Sequence, residues 1–393
     1  MRVLERLFKK KKTLVIGLMS GTSADGIDAA LVEIVGSGTH TKLRLIAYET
    51  YAFPRGYKRL LLKNSDASTA RLDDIARLNM LVAAFFADAV KSIARKAGKR
   101  QSDIDLIGSH GQTIHHLPQS TRMFGKNIRA TLQIGSPSAI AKLTGIVTVG
   151  DFRVGDVAVG GSGAPLVPYF DYVMLSSSTR NRAALNIGGI ANITILPATC
   201  LLSDVTAFDT GPGNMLIDAV MRTYYRKDRD DGGEVAYQGS IVPGLLNWLT
   251  KTPYLRQEPP KSTGREMFGE KFLREVLRRG KTMKKQDIVT TVSEFTALSV
   301  YDQYIRFVQR TCRLDEVFVS GGGVHNAYIM DSLSRYFTGV DVKTTDANDI
   351  PVDAKEAICF ALLANETIAG HASNVPGGTG AQRRTTLGVI CLP

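Results

Sequence analysis

Twice in this chain a β-rich apolar run stops at a turn of glycine and small polar residues and then resumes: residues 13–34 (TLVIGLMSGTSADGIDAALVEI) and 183–196 (AALNIGGIANITIL). Alternating apolar side chains on both sides of such a turn make a strand–turn–strand unit. Its recurrence in the second half of the chain predicts two lobes of like construction. A length of 393 residues agrees, since a compact domain usually holds about 100–200. With 44% hydrophobic and 22% charged residues, the composition excludes a disordered or collagen-like chain.

The elements after each hairpin are also alike. In the first half, residues 73–97 place Ile75, Leu78, Val82, Phe85, Phe86, Ala89, Ile93 and Ala97 at helical spacing, with Gly98 as a stop. Residues 105–108 then read as a short buried strand ending at the polar motif SHGQTIHH, and 145–150 as another ending at DFRVGDVAVGGSGAPLVP. In the second half, 207–209 lead into TGPGN and a helix over 215–225. A helical pattern covers 290–311, strand 317–320 runs into the turn 321–323, and a helix spans 327–336. A last helix is expected from Asp349 as N-cap and Pro351 in the first turn, with Glu356 near its start and Gly370 at its end. The class is α/β. The expected division is a basic leader at 1–12, a first lobe at 13–145 with 372–393, and a second lobe at 146–371, with 176–182 as a connecting loop.

Charge and cysteine narrow the partners. The net charge is +12, of which the leader MRVLERLFKKKK supplies +5, leaving +7 for the remainder. The leader reads as a solvated segment, so neither nucleic acid nor membrane is expected as a partner. Its following apolar run is too short and too quickly broken by glycine for an export signal. Cys200, Cys312, Cys359 and Cys391 lie far apart without a CxxC pair, which signals neither a zinc site nor a disulfide framework and fits a cytoplasmic protein. A homodimer is the base-rate expectation among soluble oligomers.

Four glycine-rich turns follow predicted strands: SGTSADG, GGIAN, TGPGN and SGGG. Backbone without Cβ atoms can approach a phosphate closely, and the N–H groups of such turns form an anion cradle. None has the spacing of a P-loop, and no GxGxxG opens a strand–helix–strand unit. For proton transfer, GDFRVGD offers two carboxylates, Asp151 and Asp156, with Arg153 between them as an expected charge partner of both.

The paired hairpins with the later VFVSGGGVHN resemble the two phosphate loops and the adenosine loop of the sugar kinase, acetate kinase and actin-like ATPase superfamily. More narrowly, SGTSADGIDAALV, SHGQTIHH, GDFRVGDVAVGGSGAPLVP, LNIGGIANIT, FDTGPGNMLID, PPKSTGREMFG and AKEAICFALLA are similar, in order, to the blocks of the anhydro-N-acetylmuramic acid kinases. The resemblance implies a two-lobed, ribonuclease H-like fold of mixed sheets flanked by helices, with ATP and Mg²⁺ in an interlobe cleft. It also implies an activity: hydrolysis of the 1,6-anhydro bridge of an amino sugar coupled to phosphorylation of its O6, in cell-wall recycling.

By the same resemblance Asp156 is the general base. His110, Gln112, Thr113, Asp151, Arg153 and Glu356 bind the sugar, with Glu356 facing it or the magnesium hydration shell. Nucleotide contacts fall on Ser20, Gly21, Thr22, Ser23, Asp25 and Gly26 in the first loop. In the second lobe they fall on Gly188, Gly189, Asp209, Gly211, Gly213 and Asn214, and on Gly321, Gly322 and Gly323 for adenosine. Asp25 and Asp209 stand where magnesium or its waters would be met. Ser162 departs from the GGQG pattern of the family, and the related levoglucosan kinases are the alternative reading. A non-catalytic ATP switch is a more distant one.

Overall fold

The computed structural model describes residues 2–21 and 24–393. Thr22 and Ser23, two of the expected phosphate contacts, lie outside the described residues. The chain forms two compact units: Met1–Val173 with Ala354–Pro393, and Met174–Asp353.

The sheet of the first unit contains β1 (Lys12–Ser20), β2 (Gly26–Val35), β3 (Lys42–Ala52), β4 (Leu106–Met123), β5 (Lys126–Ile134), β6 (Thr148–Gly150) and β12 (Val389–Cys391). The second unit holds β7 (Arg182–Ile187), β8 (Ile190–Leu196), β9 (Thr206–Pro212), β10 (Glu316–Ser320) and β11 (Asp341–Thr344). Their orders are β12-β6-β4-β1-β2-β3, with β5 on β4, and β11-β10-β7-β8-β9. In each unit the first three strands pair antiparallel. On the far side of the first strand, β4 and β6 add in parallel in the first unit and β10 and β11 in the second. The common core is therefore the same five-strand order written twice, as the repeated hairpin implies.

Central strands need cover on both faces, and their sequences show it: seven of the nine β1 residues are buried, with no polar alternation. One face packs on helix Leu72–Lys96, whose Leu78, Val82, Phe86, Val90 and Ile93 join Ile16, Leu18 and Leu31 in one core. The other face takes helix Lys355–Ala369 so closely that only glycine fits. A Cβ on Gly17 would stand 1.8 Å from the Ala357 carbonyl oxygen, and one on Gly108 2.0 Å from that of Phe360. Gly17 and Gly108 are register partners on β1 and β4, so they form one bare strip under the helix. In the second unit the helix Lys285–Phe307 is buried nearly all round, with Ile288, Val292, Phe295, Val300 and Tyr304 in its core.

Several expectations are corrected. Residues 146–173 and 354–371 belong to the first unit, because β6 pairs with β4 and the helix Lys355–Ala369 covers β1 and β4. SHGQTIHH does not follow a strand end: the 18-residue β4 runs through it and turns back at Phe124-Gly125 into β5. Gly145 lies outside β6 and caps the helix Pro137–Thr144 in left-handed geometry. The helix expected from Asp349 starts at Lys355 and is followed by a short one at Pro376–Thr379, while Asp349 instead closes a short 3-10 turn with φ 57°. The leader is not merely solvated, since Arg2–Lys9 is helical, Leu7 is buried, and Lys10 and Lys12 pair with Asp105 and Glu33. Among the described residues no helix is long and apolar enough to cross a membrane.

Candidate active site

The acidic motif GDFRVGD forms a short helix, Phe152–Ala158, entered through Asp151 in left-handed conformation (φ 56°, ψ 44°). Asp156 on this helix is completely buried. Its Oδ1 accepts from Asn374 Nδ2 at 2.9 Å and Thr379 Oγ1 at 2.8 Å, and its Oδ2 accepts from the Gly163 N–H at 2.9 Å. Gly161 lies against the same carboxylate, since a Cβ there would be 2.0 Å from Oδ2. Each carboxylate oxygen accepts about two hydrogen bonds, so Oδ1 is filled and Oδ2 keeps one acceptor position.

Arg153 is not the ion-pair partner of the two acids that its place in the motif suggests. Its Nε donates to His110 Nε2 at 3.0 Å and its Nη1 to the Gly163 carbonyl at 2.7 Å. Burial lowers its pKa against the opposing pull of Glu356, Cys359 and Asp156. His110 uses its other nitrogen on the Gly111 carbonyl, 2.9 Å from Nδ1. Both ring nitrogens are thus engaged within the protein, which differs from the expected bond to a sugar hydroxyl.

Gln112 also differs from expectation. Its Oε1 lies 2.6 Å from Ser20 Oγ, and its Nε2 donates to the Gly21 carbonyl at 3.0 Å, so it fastens the first glycine loop to β4. Ser20 Oγ is 3.0 Å from the Gly26 carbonyl, which closes that loop on itself. Thr113 accepts from Gln133 on β5 at 3.3 Å, and Asp25 is exposed and paired with Lys58. Ser162, the departure from the family pattern, bonds the Ala164 carbonyl at 2.6 Å and the Thr379 carbonyl at 3.1 Å.

Two further acids of the first unit are set by burial. The Asp151 carboxyl is pushed above its ordinary pKa by burial. Glu356, in the first turn of Lys355–Ala369, is raised by burial and by nearby Asp28, with Arg153 and Lys355 opposing. The helix bearing Glu356 is anchored one residue earlier, where buried Lys355 pairs with Asp171 at 2.7 Å. Thus Asp151, Arg153, Asp156, His110 and Glu356 all belong to one unit.

The second unit gathers three glycine turns instead. The N–H groups of Gly213 and Met215 donate to the Gly189 carbonyl at 2.9 and 3.2 Å, and that of Asn214 donates to Gly188 at 2.8 Å. A Cβ on Gly213 would be 2.3 Å from the Gly188 oxygen. Cβ atoms on Gly321 and Gly323 would reach 2.3 Å from Asn186 Oδ1 and Ile187 Cγ2. Gly188, Gly189 and Gly322 have nothing nearer than 3.5 Å at that position, so bare backbone is presented there. The expected phosphate donors Gly213 and Asn214 are therefore engaged in joining the turns at the start of helix Asn214–Tyr225.

Gly211 presses on Ser299 with φ 151°. Beside it Asp209 accepts from the Thr263 N–H at 2.8 Å. Burial raises its pKa to about 7, with that N–H opposing. Among the described residues no three His, Cys, Asp or Glu side chains cluster closely enough to hold a metal ion alone.

Asn374 and Thr379 are partners of Asp156 that the motifs did not disclose, and Gly163 lies inside GDFRVGDVAVGGSGAPLVP without standing out in it. The only local signal for the first two is the glycine-rich stretch SNVPGGTGA near residue 380.

A strand order repeated in two units, glycine turns at the strand ends of each, and a buried acid–arginine cluster define an actin-like ATPase fold of the sugar-kinase kind. A family model described as anhydro-N-acetylmuramic acid kinase matches residues 13–393. Proteins of that name from Caldanaerobacter subterraneus (43% identical, 98% of this chain and 99% of theirs) and Salinibacter ruber (42%, 100% of both) are similar throughout. So is one from Clostridioides difficile at 42% identity, over 95% of this chain and 97% of the relative. The chain belongs to the anhydro-N-acetylmuramic acid kinase family. Among solved structures, ligand-bound xylulose kinase from Lactobacillus acidophilus aligns with TM-score 0.46 and 9% identity over 97% of this chain and 94% of that one, too loosely to carry an argument.

Proposed function

We propose that this chain uses ATP and water to open the 1,6-anhydro bridge of 1,6-anhydro-N-acetylmuramic acid and to phosphorylate O6, giving N-acetylmuramic acid 6-phosphate for cell-wall recycling. Beyond family membership, the observation that carries the reading is the Asp156 carboxylate, held by three donors with one acceptor position left on Oδ2. The relatives compared all bear the muramic name, and nothing favours the levoglucosan alternative.

In this reading Asp156 takes a proton from a water as the water oxygen bonds to the anomeric carbon. The bond from that carbon to O6 breaks, O6 takes the γ-phosphoryl group, and ADP leaves. Asn374, Thr379 and Gly163 fix the base so that it is aimed before the water arrives. Arg153 retains three N–H groups beyond the two engaged, which suits it to a charged or hydroxyl-bearing sugar. In the same reading Asp151 and Glu356 serve as further sugar contacts.

Gly188, Gly189 and Gly322 fit a nucleotide, because they present backbone without side chains, and the packed glycines at 211, 213, 321 and 323 hold those turns together. Mg²⁺ supplies neutralisation of phosphate charge and keeps several of its own waters, so it needs few protein ligands. Asp209 fits that role as a half-buried carboxyl with one N–H partner.

The test is ADP release with Mg-ATP and each of two sugars, 1,6-anhydro-N-acetylmuramic acid and levoglucosan. Release that depends on the muramic sugar is expected. Release with levoglucosan alone, or with no sugar dependence, overturns the reading.

A further inference from the structure

His110 stands in an irregularity of the sheet. Leu18 pairs with Ser109 and Ser20 with Gln112, so one residue of β1 faces two of β4, His110 and Gly111. Such a bulge re-aims a side chain that a regular strand would send elsewhere. Gly111 permits the conformation, with φ 73° and a would-be Cβ 2.6 Å from the Ile134 oxygen. The ring so aimed is buried and lies 4.7 Å, centroid to centroid, from Phe360, one turn beyond Glu356.

Its hydrogen bonds assign its state. Nδ1 facing a carbonyl must carry the hydrogen, and Nε2 facing the Arg153 Nε–H must accept, so the imidazole is neutral. Burial and the Arg153 charge both hold its pKa well below the ordinary value. A carboxylate at this position would hold the guanidinium more strongly but would cancel its charge. A neutral acceptor orients it and leaves the charge available. The same guanidinium bonds the carbonyl of Gly163, whose N–H holds Asp156.

We propose that His110 is a positioning residue for the reaction: a neutral imidazole that aims Arg153 without discharging it and, through Gly163, steadies the N–H on Asp156. This rests on the reading of Asp156 as the base.

The experiment is a mutant cycle on the full chain, read as ADP release with saturating ATP and 1,6-anhydro-N-acetylmuramic acid, with melting temperature recorded alongside. His110→Ala lowers kcat by about 30-fold and leaves the KM for ATP unchanged, the effect of losing one charge-assisted hydrogen bond. His110→Gln, whose Oε1 can accept from Arg153 Nε, stays within about 3-fold of the parent. In an Arg153→Lys background, which keeps the charge but lacks Nε–H, His110→Ala costs less than about 3-fold more.

Equal cost of His110→Ala in both backgrounds, or a Gln variant no better than Ala, overturns the proposal. Should His110→Ala not fold, His110→Phe takes its place, since it keeps the ring against Phe360 and removes only the acceptor. Asp156→Asn is measured beside them. If it turns over normally the base reading fails, whereas an inactive Asp156→Asn with no His110–Arg153 coupling sinks this inference alone.

Discussion

The two units share a strand order but equip it in opposite ways. In the first, polar side chains hold one another in place: Asp156 is held by Asn374, Thr379 and the Gly163 N–H, Arg153 by His110 and the Gly163 carbonyl, and Gln112 by Ser20 and the Gly21 carbonyl. In the second, it rests on the main chain, where turns at 188–189, 213–215 and 321–323 touch through atoms that only glycine leaves uncovered. On the proposed reading, one fold thus provides a sugar-handling half that tolerates few changes of functional group and a nucleotide-handling half that tolerates few added carbons.

On that reading, breaking the first half at Asp156 has the largest expected effect. Asp156→Asn lowers turnover by about 10³-fold, because an amide cannot take the proton. It also turns an N–H₂ toward the Gly163 N–H or toward the Asn374 and Thr379 donors, which lowers the melting temperature by a few degrees. ADP release and a thermal melt separate the two consequences.

The second half should break with one methyl group. Gly213→Ala puts a Cβ 2.3 Å from the Gly188 oxygen, and the KM for ATP is expected to rise by about 30-fold while binding of the sugar alone, read by calorimetry, is unchanged. The same substitution at Gly17 tests the glycine strip under Lys355–Ala369 instead. It costs about 3 kcal/mol of stability, a fall of roughly 5 °C in melting temperature.

Asn374→Ala sharpens the comparison by removing one donor from Asp156 while leaving Thr379 and Gly163. A kcat loss of about 10-fold is expected, visible in the same ADP assay.

The smallest effect concerns Asp209. Its folded pKa of about 7 exceeds the ordinary 3.8, so the folded state holds a proton that the unfolded state releases. This group's stabilising contribution is present below the ordinary value and is lost as pH rises through about 7. In protein freed of nucleotide and metal, denaturant titrations from about pH 4 to 8 should show that decline, and Asp209→Asn should flatten it.

Much of this was legible in the sequence. The repeated hairpins declare themselves by periodicity, and residues 73–97 mark a helix that the structure places at Leu72–Lys96. Asp156 is visible because its motif is contiguous. Its supports are not: Asn374 and Thr379 lie 218 and 223 residues away, and nothing local to either records the carboxylate it serves. The Arg153–His110 bond spans 43 residues and depends on a bulge, which a glycine in a strand suggests but does not aim. β4 was harder still, because Gly111 reads as a turn while the strand absorbs its left-handed residue and runs on to Met123.

Because the first unit includes residues 354–393, the ribosome delivers the second unit whole before the first can be finished. Asn374 and Thr379 emerge long after Asp156, so a nascent or prematurely terminated chain carries that acid without two of the donors that hold it. On the proposed reading the nucleotide turns can assemble during synthesis, whereas sugar-opening competence arrives only when residues 354–393 fold back, so the order of synthesis sets the order in which the two halves mature.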